Sequence, residues 1–136
     1  MTEPALVVLP LPPRILSPNC MTGSRGGRMA KAQAARAYRE LAKLAGQALG
    51  VESGPWARAS VACSFFHGQR RRRDDVNFLA SLKPAYDGLV DAGLLEDDDA
   101  AHLTTLGATF ELDKAAPRVE LRLERLAFFG GRRGCL

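Results

Sequence analysis

Between Arg58 and Phe66 the chain alternates with apolar groups on both sides: Val61, Cys63 and Phe65 on one, Ala62 and Phe66 with Ser64 on the other. A strand with two largely apolar faces belongs in the middle of a sheet, so the rest of the chain has to supply its neighbours and its cover. Residues 118–124 supply one neighbour. There Val119, Leu121 and Leu123 point one way and Arg118, Glu120, Arg122 and Glu124 the other, which is a strand with one wet face. Thr104 to Leu112 reads as a further strand, and the five-residue turn Asp113 to Pro117 predicts that the two form a hairpin. Near the start, Leu6 to Leu9 makes a strand that enters a rigid loop, because five of the eight prolines fall within residues 4–19.

The cover comes from two helical segments. From Met29 to Leu49, apolar residues recur at Ala34, Ala37, Tyr38, Leu41, Leu44, Ala45 and Ala48, and Gly50 ends the run. A glycine-rich loop, Thr22 to Gly27, leads into it. Phe78, Leu79, Leu82, Tyr86, Leu89 and Val90 keep helical spacing up to Ala92-Gly93, with Pro84 predicting either a kink or a helix that starts only near Leu82. The expected fold is therefore a single compact α/β (α+β) domain over residues 1–129, a small mixed sheet with two main helices, followed by a flexible tail at 130–136. A length of 136 residues suits one domain. With 46% hydrophobic and 25% charged residues, the chain is expected to be neither disordered nor embedded in a membrane. The early apolar run follows Glu3 instead of a basic stretch, which argues against a signal peptide. Three cysteines without a CxxC pair read as reduced thiols in the cytoplasm.

Charge is divided along the chain. Residues 1–73 carry twelve Lys or Arg against three acids, a net +9, whereas residues 74–136 carry seven against twelve, a net −5. The sign changes at Arg73/Asp74, which suits a polyanion partner close to a cation-binding carboxylate cluster. Two such clusters bracket the second helical segment: Asp74-Asp75 after Arg70-Arg71-Arg72-Arg73, and Glu96-Asp97-Asp98-Asp99. Each alone reads as a helix cap or a solvated turn. Together they offer the oxygen ligands that a hard cation such as Mg2+ needs, because adjacent aspartates repel unless something cationic sits between them. Arg28 and Lys31 lie near the start of the first helix, where they oppose its dipole; they fit a bound phosphate and read equally as exposed helix formers, while Arg25 lies in the glycine-rich loop before it. His67 and His102 have no zinc-ligand spacing and read as structural, and Cys63 as a small core residue.

Leu9-Pro10-Leu11-Pro12-Pro13 with Ser17-Pro18-Asn19, the block Arg73-Asp74-Asp75-Val76-Asn77, and the stretch from Leu82-Lys83-Pro84 through Asp91-Ala92-Gly93 to Glu96-Asp97-Asp98 together resemble the RusA-type Holliday junction resolvases of phages and prophages. The likeness spans nearly the whole chain. It implies a small homodimeric, Mg2+-dependent endodeoxyribonuclease that resolves branched DNA, the four-way junction, by paired symmetric incisions, with no organic cofactor and no membrane. By this resemblance Asp74 and Asp98 are metal ligands and catalytic, and Lys83 is the catalytic helix lysine; the neighbouring carboxylates add Asp75 as a catalytic metal ligand in place of the missing motif aspartate and Asp97 as a ligand that assists through water. The DNA contacts fall to Arg25, Arg28, Lys31, Arg70, Arg71, Arg72, Arg73 and the motif asparagine Asn77. The second motif aspartate, however, falls on Val76, with an extra carboxylate one place earlier at Asp75, and Lys83 stands about one helical turn later than the pattern has it. The alternative implied by Val76 is a branched-DNA-binding protein of the same family that no longer cuts.

If Asp75 has taken over the ligand role, Val76→Asp adds a partnerless buried carboxylate and lowers stability by about 2–3 kcal/mol, while Asp75→Ala stops cleavage. Thermal melting and Mg2+-dependent junction cleavage of both variants check this. A gain of activity in Val76→Asp at unchanged stability contradicts it.

Overall fold

The computed structural model describes residues 4–18, 20, 23–50, 54–69 and 75–126, with the backbone alone at 75 and 76. The expected tail at 130–136 and the arginine run 70–73 lie outside the described residues, as does Asp74. In chain order the elements are β1 (Ala5–Leu9), a 3-10 turn at Arg14–Leu16, α1 (Arg25–Ala48), β2 (Ala59–His67), α2 (Asp75–Ala80), α3 (Lys83–Asp91), β3 (Leu103–Leu112) and β4 (Arg118–Arg125). The four strands form one mixed sheet in the order β1-β4-β2-β3, and the domain is the small α/β unit expected.

β2 occupies the interior position its sequence demands, antiparallel to β4 on one edge and parallel to β3 on the other. The predicted hairpin between β3 and β4 does not form, because β2 lies between them. Residues 113–117 carry the chain across the end of β2, where the Asp113 N–H donates to the His67 carbonyl at 2.8 Å. Five residues easily span the two strand spacings involved, about 9.6 Å. The arrangement sets Val119, Leu121 and Leu123 opposite Phe65, Cys63 and Val61, so the apolar sides of β4 and β2 merge into one inward face. All six are buried, together with Val7 and Leu9 of β1. On the outward side of β2, Ala62, Ser64 and Phe66 are half-buried.

α1 begins at Arg25, four residues before the apolar periodicity starts, because the Ser24 side chain caps it by accepting from the Gly27 N–H at 3.0 Å. The second half of the expected glycine loop is thus the first turn of the helix. The second helical segment is two helices. α2 stops at Ala80, Ser81 turns back to bond the Asn77 carbonyl through both its N–H and its hydroxyl, and α3 starts at Lys83 with Pro84 in its first turn. Proline is harmless there, since that N–H has no helical partner. Gly93, at φ +81°, ends α3 in the left-handed region.

α1 and α3 pack at close range. A Cβ at Gly88 would lie 2.2 Å from the Arg39 carbonyl oxygen, 2.8 Å from the Ala42 Cβ and 3.0 Å from the Lys43 nitrogen; one at Gly46 would meet Ala92 and Leu89 side chains at 2.9 and 3.2 Å. Advancing four residues on α1 thus advances four on α3, so the two helices run the same way. The Arg39 guanidinium clamps the Asp91 carboxylate across them through Nε at 2.5 Å and Nη2 at 2.8 Å.

Gly88→Ala is expected to destabilise by about 3 kcal/mol, because overpacking against a backbone outweighs the gain in helix propensity. Gly46→Ala, which meets movable side chains, is expected to cost less. Urea denaturation of both checks the order.

Candidate functional site

Three backbone hydrogen bonds fix where the acidic segment after α3 goes. Leu94 and Leu95 are buried, and the strand-like bridge from Leu95 to Trp56 is made by the Trp56 N–H on the Leu94 carbonyl (2.8 Å) and the Glu96 N–H on the Trp56 carbonyl (3.0 Å). The Ala59 N–H then donates to the His102 carbonyl (2.9 Å), tying the far end of the segment to the start of β2. Between these anchors the acids organise their own turn. Asp97 Oδ1 accepts from the Asp98 N–H at 2.7 Å, and Asp99 Oδ1 accepts from the N–H groups of Ala101 and His102, each at 3.1 Å.

Two constellations result. In the first, the Lys83 ammonium at the start of α3 donates to Asp87 Oδ1 at 2.8 Å, one turn on, and to Asp98 Oδ2 at 2.5 Å, fifteen residues away in sequence. The Asp98 side chain is only 11% exposed, whereas that of Lys83 is 63% exposed, so the ammonium is a cationic lid over a sheltered carboxylate. The hydrogen bonds that Lys83 donates to Asp87 and then to Asp98 raise its pKa, and the ammonium stays charged across the physiological range. In the second, Asp97, Asp99 and His102 bring ligand atoms within 4.8 Å of one another and could hold a metal ion. Two carboxylates suit hard cations such as Mg2+, and the imidazole nitrogen widens the choice toward Mn2+ or Zn2+.

The sequence-based site is therefore brought together in part. Lys83 and Asp98 meet, and Asp97 sits beside them in the chain, but Asp98 is not a member of the Asp97/Asp99/His102 group. Asp75 opens α2, its side chain outside the description, and Val76 likewise; Asn77 is half-buried in α2. Arg25 and Arg28 are exposed in the first turn of α1, Arg28 donating to the Gly23 carbonyl at 3.2 Å, and Lys31 donates to the Ser17 carbonyl at 3.3 Å. Because Gly88 lies level with Ala42 and Gly46 with Ala92, α3 begins beside the middle of α1, and Lys83 stands further along the helical layer than Lys31, Arg28 and Arg25.

His102, read from the sequence as structural, has Asp99 Oδ1 2.6 Å from its Nδ1 and Glu96 3.5 Å from its Nε2, and it belongs besides to the group that could hold a metal ion; the Asp99-x-x-His102 spacing is the sequence signal for that grouping. His67 is buried and ringed by Phe65, Phe78 and Phe110, with centroids 4.9–6.3 Å away. Cys63 is buried, its sulfur 3.5 Å from the Tyr86 hydroxyl, and burial pushes the thiol up, so it is no nucleophile. Among the described residues Cys20 and Cys63 are free, and no helix is long and apolar enough to cross a membrane. Compared with models of known protein families and with curated protein sequences, the chain matches none.

The hydrogen bond that the His102 ring donates to Asp99 raises the His102 pKa above its ordinary 6.5 and lowers that of Asp99. The histidine's contribution to stability is complete below pH 6.5 and is lost as pH rises through the raised value; that of Asp99 is lost as pH falls through its own lowered value. An NMR titration of the His102 ring is expected to show a midpoint above 6.5 that returns toward it in Asp99→Asn. An unchanged midpoint contradicts the pairing.

Proposed function

We propose that the chain is a Mg2+-dependent, structure-selective endodeoxyribonuclease that acts in the cytoplasm as a homodimer on four-way DNA junctions, in recombination and repair. The observation that supports it most is the contact between Lys83 and Asp98. These two residues were assigned to one site by the motif pattern, and they touch although fifteen residues separate them. A lysine over a carboxylate beside further carboxylates is what phosphodiester hydrolysis needs: ligands for a hard cation, and a fixed positive charge for the phosphate.

Asp74, Asp75 and Asp98, with Asp97 assisting, would hold the Mg2+. When bound, the ion supplies a water of lowered pKa and Lewis acidity toward the phosphate. Lys83, kept protonated by Asp87 and Asp98, stabilises the charge that develops on the scissile phosphate. Arg25, Arg28 and Lys31, with Arg70, Arg71, Arg72, Arg73 and Asn77, hold the backbone and set the register of the junction. Their positive charge also offsets the repulsion between an anionic substrate and an acidic site. A second reading, a branched-DNA-binding protein that no longer cuts, is favoured by Val76 standing where the motif carries a ligand.

Asp98→Asn and Lys83→Ala are each expected to lower Mg2+-dependent junction cleavage by roughly 100-fold or more while junction binding, read by gel shift, is kept. Cleavage at the wild-type rate by either folded variant removes that residue from the site. Tight binding with no cleavage by the wild-type chain favours the second reading.

A further inference from the structure

Among the described residues, one side of the sheet carries the helices, and no element covers the other. Its composition is ordered. On β4 the outward residues are Arg118, Glu120, Arg122 and Glu124 in alternation, and the last two are exposed. On β1 the outward Leu6 and Val8 are 44% and 48% exposed. The strand pairing sets these side chains in rows across the face: Leu6 opposite Arg122 and Arg122 opposite Ala62, then Val8 opposite Glu120 and Glu120 opposite Ser64.

We infer that this open face is the interface with a second copy of the chain, stacked face to face about a two-fold axis that runs across the strands between these two rows. Such an axis keeps the strand order and reverses the strand direction. Each row then lies over the other row of the partner, so that Leu6 covers the partner's Val8, Arg122 meets the partner's Glu120, and Ala62 meets the partner's Ser64. One repeat further out, Arg118 faces the partner's Glu124. The charge sequence Arg-Glu-Arg-Glu read backwards is Glu-Arg-Glu-Arg, and the match is complete in this orientation alone. With the strands parallel, every charge would meet its like, which costs enough to exclude that alignment. Packed sheets stand about 10 Å apart, a gap that an arginine and a glutamate reaching toward each other close. An isologous pairing of this kind satisfies the requirement that one patch be complementary to itself. Within the chain Arg118 is already fixed, stacked on Phe66 at 4.0 Å and bonded to Asp113 and Glu120, so the face is rigid before it docks. The interface does not depend on whether the chain cuts DNA.

The test is the mass of the full chain by light scattering at micromolar concentration. The wild type is expected at twice 14.7 kDa. Arg122→Glu sets Glu against the partner's Glu120, and Glu120→Arg sets Arg against the partner's Arg122, so each alone is expected to run at 14.7 kDa with unchanged circular dichroism. Mixed in equal amounts, the two are complementary at both contacts, and the dimer mass is expected to return. Val8→Asp, which leaves the Arg118 cluster intact, is expected to be monomeric and to stay so in either mixture. A monomeric wild type, dimeric single variants, or two folded monomeric charge variants that do not pair when mixed would each overturn the interface.

Discussion

The parallel pairing of β2 with β3 is the constraint from which most of this molecule follows. Two parallel neighbours cannot be joined by a tight turn, so the chain has to leave the end of β2, run back along the sheet and re-enter at the start of β3. Residues 68–102 make that crossing, and α2 and α3 lie on it. The same crossing carries the arginine run, Asp74, Asp75, Asn77, Lys83 and the acids Asp97 to Asp99. Trp56, buried and bonded on both sides of its backbone to residues 94 and 96, returns the crossing to β2 and thereby fixes the height at which the acids lie. The candidate site is thus a property of the connection, held by a strand pair that contributes no chemistry itself.

The second determinant is the glycine contact between α1 and α3. With Gly88 against the backbone of residues 39–43, the helices approach too closely for any larger side chain, and the Arg39–Asp91 ion pair holds their relative rotation at the exposed side. That packing sets α3 along the second half of α1, so the first half of α1, with Arg25, Arg28 and Lys31, extends beyond the start of α3.

Much of the fold could be read from the chain, because burial leaves periodic traces. The two-faced apolar run predicted an interior β2, the alternation from Val119 to Leu123 predicted β4 and its buried side, and Pro84 marked the start of α3. The hairpin failed for a physical reason: a five-residue turn permits pairing of the strands it joins, yet it also reaches across one intervening strand, and β2 gained more by burying both edges. The start of α1 was hidden because its first turn is made of a cap and glycines with no apolar face to repeat. In the site, no local pattern brings Lys83 to Asp98; only the motif pattern grouped them, and tertiary structure makes the contact. The pairing of His102 with Asp99 follows from their i, i+3 spacing, whereas the approach of Asp97 to both depends on the turn that the acids build.

The account stands on the claim that carboxylates, Lys83 and the arginines form one machine for cutting branched DNA. The most direct measurement incubates the purified chain with a synthetic four-way junction, labelled in turn on each strand, in Mg2+ and in EDTA. Paired nicks at symmetry-related positions, present in Mg2+ and absent in EDTA, are the predicted result. No Mg2+-dependent nicking, or equal cutting of linear duplex and junction, would contradict it.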